Sequence, residues 1–455
     1  MLLQELANAL DEGSVLTGLD AEEKAFTPWG LLGAPLAVVR PSSTEQVAKV
    51  LRIAASHDTS ITTWGGKTGL VDGTFADGII ALSLDRMTAI EAVDRQASTM
   101  TVQAGCILQT ACEAAEAEGL FLPLDMGSRG TATVGGAIST NAGGNRVLRF
   151  GMMRDMVLGL EAVLADGTVI SAMKPLIKNN TGYDLKQYFV GAEGTLGVVT
   201  RAVLRLRPAP RSQCTALVAV PDFSCLPKLL RLAEARLGGT LSAFEVMWPS
   251  FYELVTTAPA NGHPILPHGH AFYVLIEAMG SDPEEDDARF ERVLGEALEG
   301  GLVENAVIAQ SETEAHKIWA LRDDVGQVMQ HRPVFVFDVS LQISDMEAYV
   351  AAVRGDLTAR WPAAKMIVFG HLGDGNLHVV AGVGDAGARH AVEEIVYEKL
   401  SHIGGSISAE HGIGLQKREY LRYSRSPAEM AVMRAVKKAL DPHNILNRGK
   451  ILETN

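Results

Sequence analysis

Three histidines and a carboxylate, set among glycines in the last third of the chain, have residue types and spacings that suit a metal centre. His371 and His378 flank a Gly-Asp-Gly turn in the stretch HLGDGNLH, so the two imidazoles can lie on neighbouring strand ends. Glu410 and His411 follow in the stretch SAEHGIG. Two neutral imidazoles, one carboxylate and an open position are typical of a catalytic zinc or manganese site. The spacing alone also allows a plainer interpretation, in which these are ordinary histidines that donate to backbone carbonyls.

Three glycine-rich stretches in the first half of the chain could bind an anion or a phosphate. They are WGGKTGL at 64–70, GSRGTATVGGAISTNAGG at 127–144 and VGAEGTLG at 190–197. The second stretch interleaves glycine with serine, threonine and asparagine, so it cannot form a hydrophobic core but offers many hydrogen-bonding groups. Three such stretches inside one predicted domain favour one large, extended, phosphate-containing cofactor over three unrelated surface turns.

Familiar nucleotide-binding and cysteine motifs are incomplete in this sequence. The first stretch contains GKT, but a P-loop needs a glycine where Ile61 stands, so an NTPase loses its best support. None of the three stretches contains G-x-G-x-x-G, which leaves a Rossmann-type dinucleotide fold unsupported. The four cysteines form no C-x-x-C pair, which argues against an iron–sulfur cluster or a zinc ribbon.

The secondary-structure elements that must position the histidine cluster and the glycine-rich stretches differ between the two halves of the chain. The elements of the first half are short. Residues 34–210 contain brief strand-like runs separated by glycine-rich turns, and Asp166-Gly167 between two alternating runs predicts a β-hairpin. Ser42 and Glu45 have the spacing of a capping box before the amphipathic stretch TEQVAKVLRIAA. Two prolines and a change in composition follow this region, and we place a domain boundary after residue 208.

In the second half, over residues 209–408, longer helical patterns alternate with strand-like runs. A helix is expected to begin at Asp282-Pro283, and helical patterns recur at 344–358 and 387–402, among the runs AFYVLIEAM, PVFVFDVSL, MIVFG and LHVVAGV. Strands with helices on one side predict an α+β layer around an antiparallel sheet. The remaining segment, 409–455, is predicted to end in one helix and a tail.

The composition is that of an ordinary globular protein and excludes several classes. Hydrophobic residues make up 47% and charged residues 21% of the 455 residues, which excludes a disordered chain, a collagen and a coiled coil. The formal net charge of −14 disfavours non-specific binding to nucleic acid or an anionic membrane. No apolar run approaches the roughly 20 residues that span a bilayer. The first residues, MLLQELANALDEGS, carry acids where a signal peptide needs a basic start, so a cytoplasmic location is expected.

Several long motifs, in the order of a known family, carry a resemblance. PSSTEQV, GGKTGL, GSRGTATVGGAISTNAGG, MRDMVLGLEAVLADG and NNTGYDLKQYFVGAEGTLGVVT resemble the FAD-binding domain of the vanillyl-alcohol-oxidase-type flavoproteins. Within that superfamily the chain is most similar to the FAD-linked D-2-hydroxyacid dehydrogenases, which include D-lactate, glycolate and D-2-hydroxyglutarate enzymes. The resemblance implies an α+β fold with a non-Rossmann FAD-binding domain, a substrate (cap) domain built on an antiparallel sheet, and a C-terminal helical segment that returns to the flavin.

The resemblance assigns the cofactor contacts to the glycine-rich stretches and to the tail. The pyrophosphate of FAD is expected near Gly65, Gly66, Thr68 and Gly69. The flavin is expected against Gly127, Ser128, Gly135, Gly136, Ser139, Asn141, Gly143 and Gly144, with Gly194, Val198 and Asn447 as further contacts. Some members of the superfamily tether FAD through a histidine of the first stretch. None is present here, so bound FAD is expected to be non-covalent.

The resemblance also implies a divalent metal, because a subgroup of the family carries GHxGDGNLH and AEHGIG around one. The implied ligands are His371, His378 and Glu410, with zinc as the first choice and manganese or iron as alternatives. A metal chelated by the hydroxyl and carboxylate of a 2-hydroxyacid lowers the hydroxyl's pKa, a base then takes the proton, and a hydride passes from C2 to flavin N5. His411 is the expected base, because an ordinary imidazole pKa of about 6.5 suits this task at neutral pH.

Two further assignments concern the substrate. Arg322 is the expected clamp for the substrate carboxylate, although without the resemblance it would be interpreted as a surface arginine paired with Asp323 or Asp324. In relatives that act on dicarboxylates, a lysine stands where Val336 lies and another polar contact stands where Val380 lies. Apolar side chains cannot pair a second carboxylate, and burying one unpaired is costly. The expected substrate is therefore a small anionic hydroxyacid with one carboxylate, such as D-lactate.

Several alternatives stay open at this point. The protein could be a D-2-hydroxyglutarate dehydrogenase, a flavin oxidase that uses oxygen, or a non-catalytic subunit of a glycolate-oxidising complex. A dehydrogenase would pass its electrons to an electron-transfer flavoprotein, a quinone or a cytochrome. No nucleic-acid partner and no transmembrane segment are expected, and a homodimer is compatible with the sequence.

Overall fold

Residues 1–27 and 30–453, which a computed structural model describes, divide into two units. The first unit comprises Met1–Gly144, Gly151–Ala209 and Glu410–Asn455. The second comprises Asn145–Phe150 and Pro210–Ala409. The short segment Asn145–Phe150 thus groups with the second unit, although the sequence analysis places it inside the domain 1–208.

Two sheets and two short strand pairs make up the β-structure of the first unit. Its strands are, in chain order, β1 (Val15–Leu16), β2 (Phe26–Thr27), β3 (Gly30–Leu31), β4 (Ala37–Val39), β5 (Ile61–Trp64), β6 (Ile80–Ser83), β7 (Ile90–Asp94), β8 (Thr99–Gln103), β9 (Leu120–Phe121), β10 (Val157–Val163), β11 (Val169–Ala172), β12 (Val198–Arg205) and β13 (Arg207–Pro208). One sheet has the order β1-β4-β6-β5, with β6 parallel to both β4 and β5. The other is antiparallel with the order β11-β10-β12-β8-β7, and β2–β3 and β9–β13 form the pairs.

The predicted hairpin at Asp166-Gly167 is confirmed. Strands β10 and β11 pair antiparallel, with Val163 opposite Val169. The turn closes because the Gly167 N–H donates to the Leu164 carbonyl, and Gly167 has the positive φ of 79° that a glycine tolerates.

Helices of the first unit lie between and after these strands. They are Leu2–Ala9, Leu19–Ala25, Thr44–Ser56, Leu108–Ala117, Val134–Thr140, Met153–Met156 and Pro427–Leu440, with 3₁₀ turns at Leu185–Tyr188 and Arg418–Tyr423. The cap predicted at Ser42 is wrong by one residue. Ser43 has the extended backbone of an N-cap and accepts from the Gln46 N–H, whereas the Ser42 N–H donates to the Gln46 side chain. Among the described residues, no helix is long and apolar enough to cross a membrane.

The second unit is built on a seven-stranded sheet. Its strands are β14 (Ser212–Val220), β15 (Leu241–Met247), β16 (Phe272–Gly280), β17 (Asn305–Ile308), β18 (Val334–Ser340), β19 (Lys365–His371) and β20 (Asn376–Gly382). The order is β17-β14-β16-β15-β19-β20-β18, and every neighbouring pair is antiparallel, which confirms the predicted α+β class and antiparallel sheet. The expectation of helices on one side is wrong, because Pro249–Thr256 and Glu312–Asp323 cover one face while Pro283–Glu299 contacts the other through Cys214 and Asp287.

Its helices confirm the sequence patterns closely. They are Val147–Phe150, Cys225–Arg236, Pro249–Thr256, Pro283–Glu299, Glu312–Asp323, Ile343–Arg360 and Arg389–Ile403, with 3₁₀ turns at Val325–His331, Leu372–Asp374 and Ala386–Ala388. The helix expected at Asp282-Pro283 begins there, because the Asp282 side chain accepts from the Glu285 N–H and Pro283 occupies the first helical position.

One face of the seven-stranded sheet carries a hydrophobic cluster of the second unit, and the side chains of the opposite face are buried as well. The strands contribute fully or almost fully buried side chains that form one cluster with two helices, Pro249–Thr256 and Glu312–Asp323. The cluster includes Leu217, Met247, Leu275, Ile367, Phe369 and Val380 from the strands, and Phe251, Ile318 and Trp319 from the helices. Polar side chains at the ends of these strands therefore lie next to a closely packed apolar layer.

A buried ion pair holds Asn145–Phe150 in the second unit. Glu277 is fully buried on β16, and Arg146 Nε donates to its carboxylate at 3.0 Å. Further donors to this carboxylate are Gln213, Ser242 and Trp319, at 2.6, 2.8 and 3.0 Å. A buried charge is tolerated only when its partner and additional donors satisfy it. The segment is therefore an integral part of this unit.

Arg146→Leu is expected to lower the free energy of unfolding of the second unit by about 3 kcal/mol, because the Glu277 charge would stay buried without its charged partner. Urea unfolding followed by tryptophan fluorescence measures the loss. The double variant Arg146→Leu with Glu277→Gln should recover part of it, since no charge then remains buried. A single variant as stable as wild type would show that the pair does not retain the segment.

Candidate functional site

Four neighbouring strands bring polar side chains together on the face of the seven-stranded sheet that carries this hydrophobic cluster. The register pairs Glu245 on β15 with His371 on β19, and His378 on β20 with Asp338 on β18. His371 also pairs with Asn376, two residues before His378, so alternation puts all five side chains on one face. All five are buried, with exposures of 8% or less. The rings of His371 and His378 lie 5.5 Å apart, as the turn between β19 and β20 predicted.

Glu245 bridges two of the predicted site residues. His371 Nδ1 lies 2.7 Å from one carboxylate oxygen, and Arg322 Nε donates to the other at 2.8 Å. Burial raises the pKa of the Glu245 carboxyl, but His371 and Arg322 outweigh burial and hold the pKa below its ordinary value. An ionised carboxylate only accepts hydrogen bonds, so His371 must carry a proton on Nδ1. If His371 is neutral, its lone pair is on Nε2, which lies 3.3 Å from Arg322 Nη2, so Arg322 must turn away before this nitrogen can bind a metal.

Arg322 is an interior residue, and the surface interpretation of it is wrong. It is 4% exposed on the helix Glu312–Asp323. Its Nη2 lies 3.3 Å from His371 Nε2, and its guanidinium lies 5.1 Å over the ring of Phe369. The Nε edge of the guanidinium is engaged by Glu245. The arginine is thus held beside His371 by Glu245.

Asp338 supports the backbone that leads to Glu410. Its Oδ1 accepts from Asn376 Nδ2 at 2.9 Å, and its Oδ2 accepts from the Ala409 N–H at 3.0 Å and from the Ser408 hydroxyl at 3.3 Å. Since both oxygens are engaged by donors, this carboxylate is better suited to positioning than to binding a metal. A carboxylate oxygen of Asp338 and a ring nitrogen of His378 nevertheless lie within 4.8 Å of each other.

Glu410 and His411 begin the last segment of the first unit. Both are partly buried, and their ligand atoms also lie within 4.8 Å of one another. Within the turn that separates the other two histidines, burial raises the pKa of the Asp374 carboxyl to about 6. Glu410, His411 and the two other histidines were predicted from the sequence, whereas Glu245, Asp338 and Asn376 were not. The signal available for the first two was a charged residue inside an apolar strand.

In the first unit, the first and second glycine-rich stretches contact each other directly. A Cβ added to Gly65 would lie 2.4 Å from the Thr133 hydroxyl, and one added to Gly66 would lie 2.1 Å from the Thr131 carbonyl. Added side chains at Gly135 and Gly144 would also overlap backbone or Cβ atoms of neighbouring segments. These four glycines are therefore required by close approach of the protein's own loops.

The third stretch and the tail meet the other two. The Glu193 N–H donates to the Ser139 carbonyl at 2.7 Å, and Asn447 Nδ2 donates to the Glu193 carbonyl at 2.5 Å. Asn447 Oδ1 accepts from the Thr63 N–H at 3.0 Å, and a Cβ on Gly194 would lie 3.0 Å from Asn447. The structure therefore brings the three predicted stretches and the predicted tail residue to one place.

The remaining predicted cofactor residues differ in their surroundings. Added Cβ atoms at Gly69 and Gly127 would meet nothing within 4 Å, whereas Gly143 and Val198 are buried. Thr68, Ser128 and Gly136 are partly buried, and Asn141 ends its helix in the left-handed conformation. Lys67, also in the first stretch, donates to the Lys24 carbonyl and lies over the Trp64 ring.

These residues fit a phosphate-containing flavin cofactor. Among the described residues, the buried Thr63 hydroxyl has no hydrogen-bond partner, and it lies two positions before Gly65. The donors of a glycine-rich loop and an unpaired hydroxyl beside it are the groups that a pyrophosphate requires.

Lys450 holds the tail against the strand that leads into the first glycine-rich stretch. It is 4% exposed, and its Nζ donates to the Thr62 hydroxyl at 2.6 Å and to the Phe75 carbonyl at 2.9 Å. Burial lowers the pKa of the Lys450 ammonium to about 7, although Glu193 and Asp72 oppose the shift. As the pH rises, the folded protein therefore loses this proton at a lower pH than the unfolded chain does.

The unfolding free energy of wild type, relative to that of Lys450→Met, is expected to rise as the pH rises from about 7 towards 10.5. In this window the unfolded chain keeps the lysine proton and the folded protein does not, so the unfolded state binds more protons and loses stability as protons become scarce. Urea unfolding of both proteins at several pH values measures the difference. A difference that stays constant across the window would mean that Lys450 is charged when folded.

Comparisons with known proteins identify the fold and the cofactor. The sequence matches the family described as "FAD binding domain" over residues 35–172 and the family described as "FAD linked oxidases, C-terminal domain" over residues 209–451. Among solved structures, p-cresol methylhydroxylase with substrate bound shares 17% identity at a TM-score of 0.77, covering 99% of this chain and 96% of that one. Alkyldihydroxyacetonephosphate synthase shares 17% identity at a TM-score of 0.76, covering 98% and 84%. The fold is the vanillyl-alcohol-oxidase type, and FAD is its cofactor.

Relatives with higher identity narrow the class. The mitochondrial D-2-hydroxyglutarate dehydrogenase of Bos taurus is 38% identical over 452 residues, covering 97% of this chain and 82% of the relative. D-2-hydroxyglutarate dehydrogenase of Stutzerimonas stutzeri (strain A1501) is 36% identical over 467 residues, covering 99% and 98%. The chain belongs to the family of FAD-linked D-2-hydroxyacid dehydrogenases, oxidoreductases that act on CH–OH groups, which confirms the resemblance noted in its motifs.

Proposed function

We propose that the protein oxidises a D-2-hydroxyacid with a single carboxylate, such as D-lactate, to the 2-oxoacid. The observation that carries this choice is a pair of valines beside the polar cluster. Val336 and Val380 are cross-strand partners on β18 and β20, one pair along from Asp338 and His378 and on the same face. Val380 is 2% exposed and belongs to the apolar core, whereas Val336 is 43% exposed. Neither side chain can pair a second carboxylate, and leaving that charge unpaired next to the core is costly.

The three glycine-rich stretches and Asn447 would bind FAD without a covalent bond. When bound, the flavin supplies an acceptor for the hydride that leaves C2 of the substrate. The chain's part is to hold the cofactor by backbone donors, with the tail fixed over Thr63 by Asn447.

A divalent metal, zinc before manganese or iron, would be bound by His371, His378 and Glu410. When bound, such an ion lowers the pKa of the substrate hydroxyl. Two observations support the ligand set. Glu245 leaves His371 Nε2 as the nitrogen that carries the lone pair. Asp338, which accepts from the Ala409 N–H, fixes the backbone one residue before Glu410.

The remaining site residues have separate tasks in this proposal. His411 accepts the hydroxyl proton of the substrate, for which a neutral imidazole is suited near pH 7. Arg322 pairs with the substrate carboxylate through the part of its guanidinium that Glu245 does not engage. Electrons then pass to an electron-transfer flavoprotein, a quinone or a cytochrome.

D-2-hydroxyglutarate is the second candidate substrate, because the Bos taurus and Stutzerimonas stutzeri relatives are named D-2-hydroxyglutarate dehydrogenases. It would need a cationic or amide partner for its distal carboxylate. The valine pair supplies neither group, which is why the monocarboxylate is preferred here.

Specificity constants for D-lactate and D-2-hydroxyglutarate, measured with an artificial dye as the electron acceptor, test the proposal. We expect kcat/KM to favour D-lactate by about tenfold or more, since an unpaired buried charge costs at least about 1.4 kcal/mol. Val336→Lys should raise kcat/KM for the dicarboxylate, and Val336→Met, which adds length without charge, should not.

Two results would count against the proposal in different ways. A wild-type preference for D-2-hydroxyglutarate would assign the second candidate. A preparation with full flavin content that oxidises neither acid would remove both, and a rate that depends on oxygen in place of the dye would make the protein an oxidase.

Glu245→Gln is expected to weaken metal binding by about 10- to 100-fold, because a glutamine amide cannot accept from both His371 and Arg322. Competition with a chromogenic chelator measures the affinity, and the flavin absorbance near about 450 nm should stay unchanged. Glu277→Gln is the matched control, since Glu277, on the neighbouring strand β16, is also buried and is paired with Arg146 of the segment Asn145–Phe150. Equal metal affinities in the two variants would contradict the role of Glu245.

A further inference from the structure

Glu193 is a buried carboxylate of the first unit to which the sequence analysis gives no task. It is 9% exposed and lies in the third glycine-rich stretch. Its Oε1 accepts from the Ile413 N–H at 2.7 Å, and its Oε2 accepts from the Gly414 N–H at 2.8 Å. Both donors belong to the loop that directly follows Glu410 and His411. A carboxylate with both oxygens on successive backbone amides fixes that backbone strongly.

The loop is shaped to fit around this carboxylate. Gly412 has a positive φ of 85°, and a Cβ added to it would lie 2.8 Å from Glu193 Oε1. Gly414 has a positive φ of 51°, and its Cβ would lie 2.0 Å from the Val71 carbonyl. The Leu415 N–H donates to the same Val71 carbonyl at 2.9 Å. The loop is therefore bounded by Glu193 on one side and by Val71 on the other.

The backbone of Glu193 makes two further connections. Its N–H donates to Ser139 in the second glycine-rich stretch, and its carbonyl accepts from Asn447 in the tail. Glu193 adopts a positive φ of 49°, which is uncommon for a residue with a side chain and persists only where surrounding contacts impose it. One residue thus joins three segments that the proposed function assigns to the flavin and to the base.

Two buried lysines lie near the Glu193 carboxyl inside the first unit. Burial raises the pKa of this carboxyl above its ordinary value, and the two backbone donors and the nearby lysines Lys417 and Lys450 offset only part of the shift. Lys417 and Lys450 are 5% and 4% exposed. The Ile413 and Gly414 N–H groups can only donate, so the two Glu193 oxygens that face them act as acceptors.

We propose that Glu193 is a positioning residue for the oxidation: its carboxylate fixes the Gly412–Gly414 loop and, through it, the placement of Glu410 and His411. This proposal rests on the proposed function. Glu193 contacts neither substrate nor reacting atoms in this scheme, and it acts through the base and the metal ligand that precede the loop. The Glu193 carbonyl also accepts from Asn447 Nδ2, so the same residue positions both the proposed flavin contact and the proposed base.

Glu193→Gln tests the proposal, because glutamine offers one acceptor oxygen and turns an N–H₂ group towards the other backbone N–H. We expect deuterium exchange at the Ile413 and Gly414 amides to become about tenfold faster or more. We also expect kcat with D-lactate to fall by about 10- to 100-fold while KM stays within about threefold. Glu193→Asp retains the charge and both acceptors and should retain more kcat than Glu193→Gln.

Glu161→Gln is the matched control. Glu161 is another buried carboxylate of the first unit, 7% exposed, and accepts from Thr44, Thr200 and Arg201. Its loss should lower the thermal midpoint without changing exchange at the Gly412–Gly414 loop or kcat.

If both variants lower kcat equally, or if Glu193→Gln leaves exchange as in wild type, the positioning role is overturned. Should wild type oxidise no D-2-hydroxyacid, the proposed function fails, while the exchange measurement still decides whether Glu193 fixes the loop. If Glu193→Gln does not fold, exchange and kcat are measured on Gly412→Ala, whose added Cβ would lie 2.8 Å from Glu193 Oε1, and wild-type values in that variant would also overturn the role.

Discussion

The buried Glu245 carboxylate is the constraint on which the polar cluster of the second unit depends. It is ionised in the interior only because His371 and Arg322 donate to its two oxygens. Each of those groups in turn has its orientation set by the carboxylate. An unpaired charge at this depth would be strongly destabilising. Removing any one of the three side chains would therefore destabilise the arrangement of the other two. The sheet supplies the geometry, because β15 and β19 are neighbours in register at this point.

The sequence predicts the local features of this protein well and the long-range ones poorly. The hairpin at Asp166-Gly167 and the helix start at Asp282 follow from a few adjacent residues, and both are confirmed. The two histidines could be found because a single turn brings them together. Glu245 could not, because it lies 126 positions from His371 and meets it only through strand register. Ser42 and Ser43 differ by one position, which a spacing rule does not resolve.

The glycine-rich stretches show why a correct prediction can have more than one physical basis. The sequence pattern predicts that these glycines let the backbone approach a cofactor closely. The structure shows that Gly65 and Gly66 also admit the backbone of the second stretch, where any Cβ would overlap it. Gly69 and Gly127, by contrast, have open space where a Cβ would lie. The sequence alone cannot distinguish these two groups, because both have the same residue type and similar neighbours.

The membership of Asn145–Phe150 in the second unit has a consequence for biosynthesis. The ribosome delivers Arg146 long before Glu277, so the cation of this ion pair is already in the nascent chain when its carboxylate emerges. The second unit is therefore not encoded by one continuous stretch of its gene. A gene fusion or exchange that moved only residues 210–409 into another flavoprotein would carry a buried acid without its native arginine, and would need a substitute in the new host.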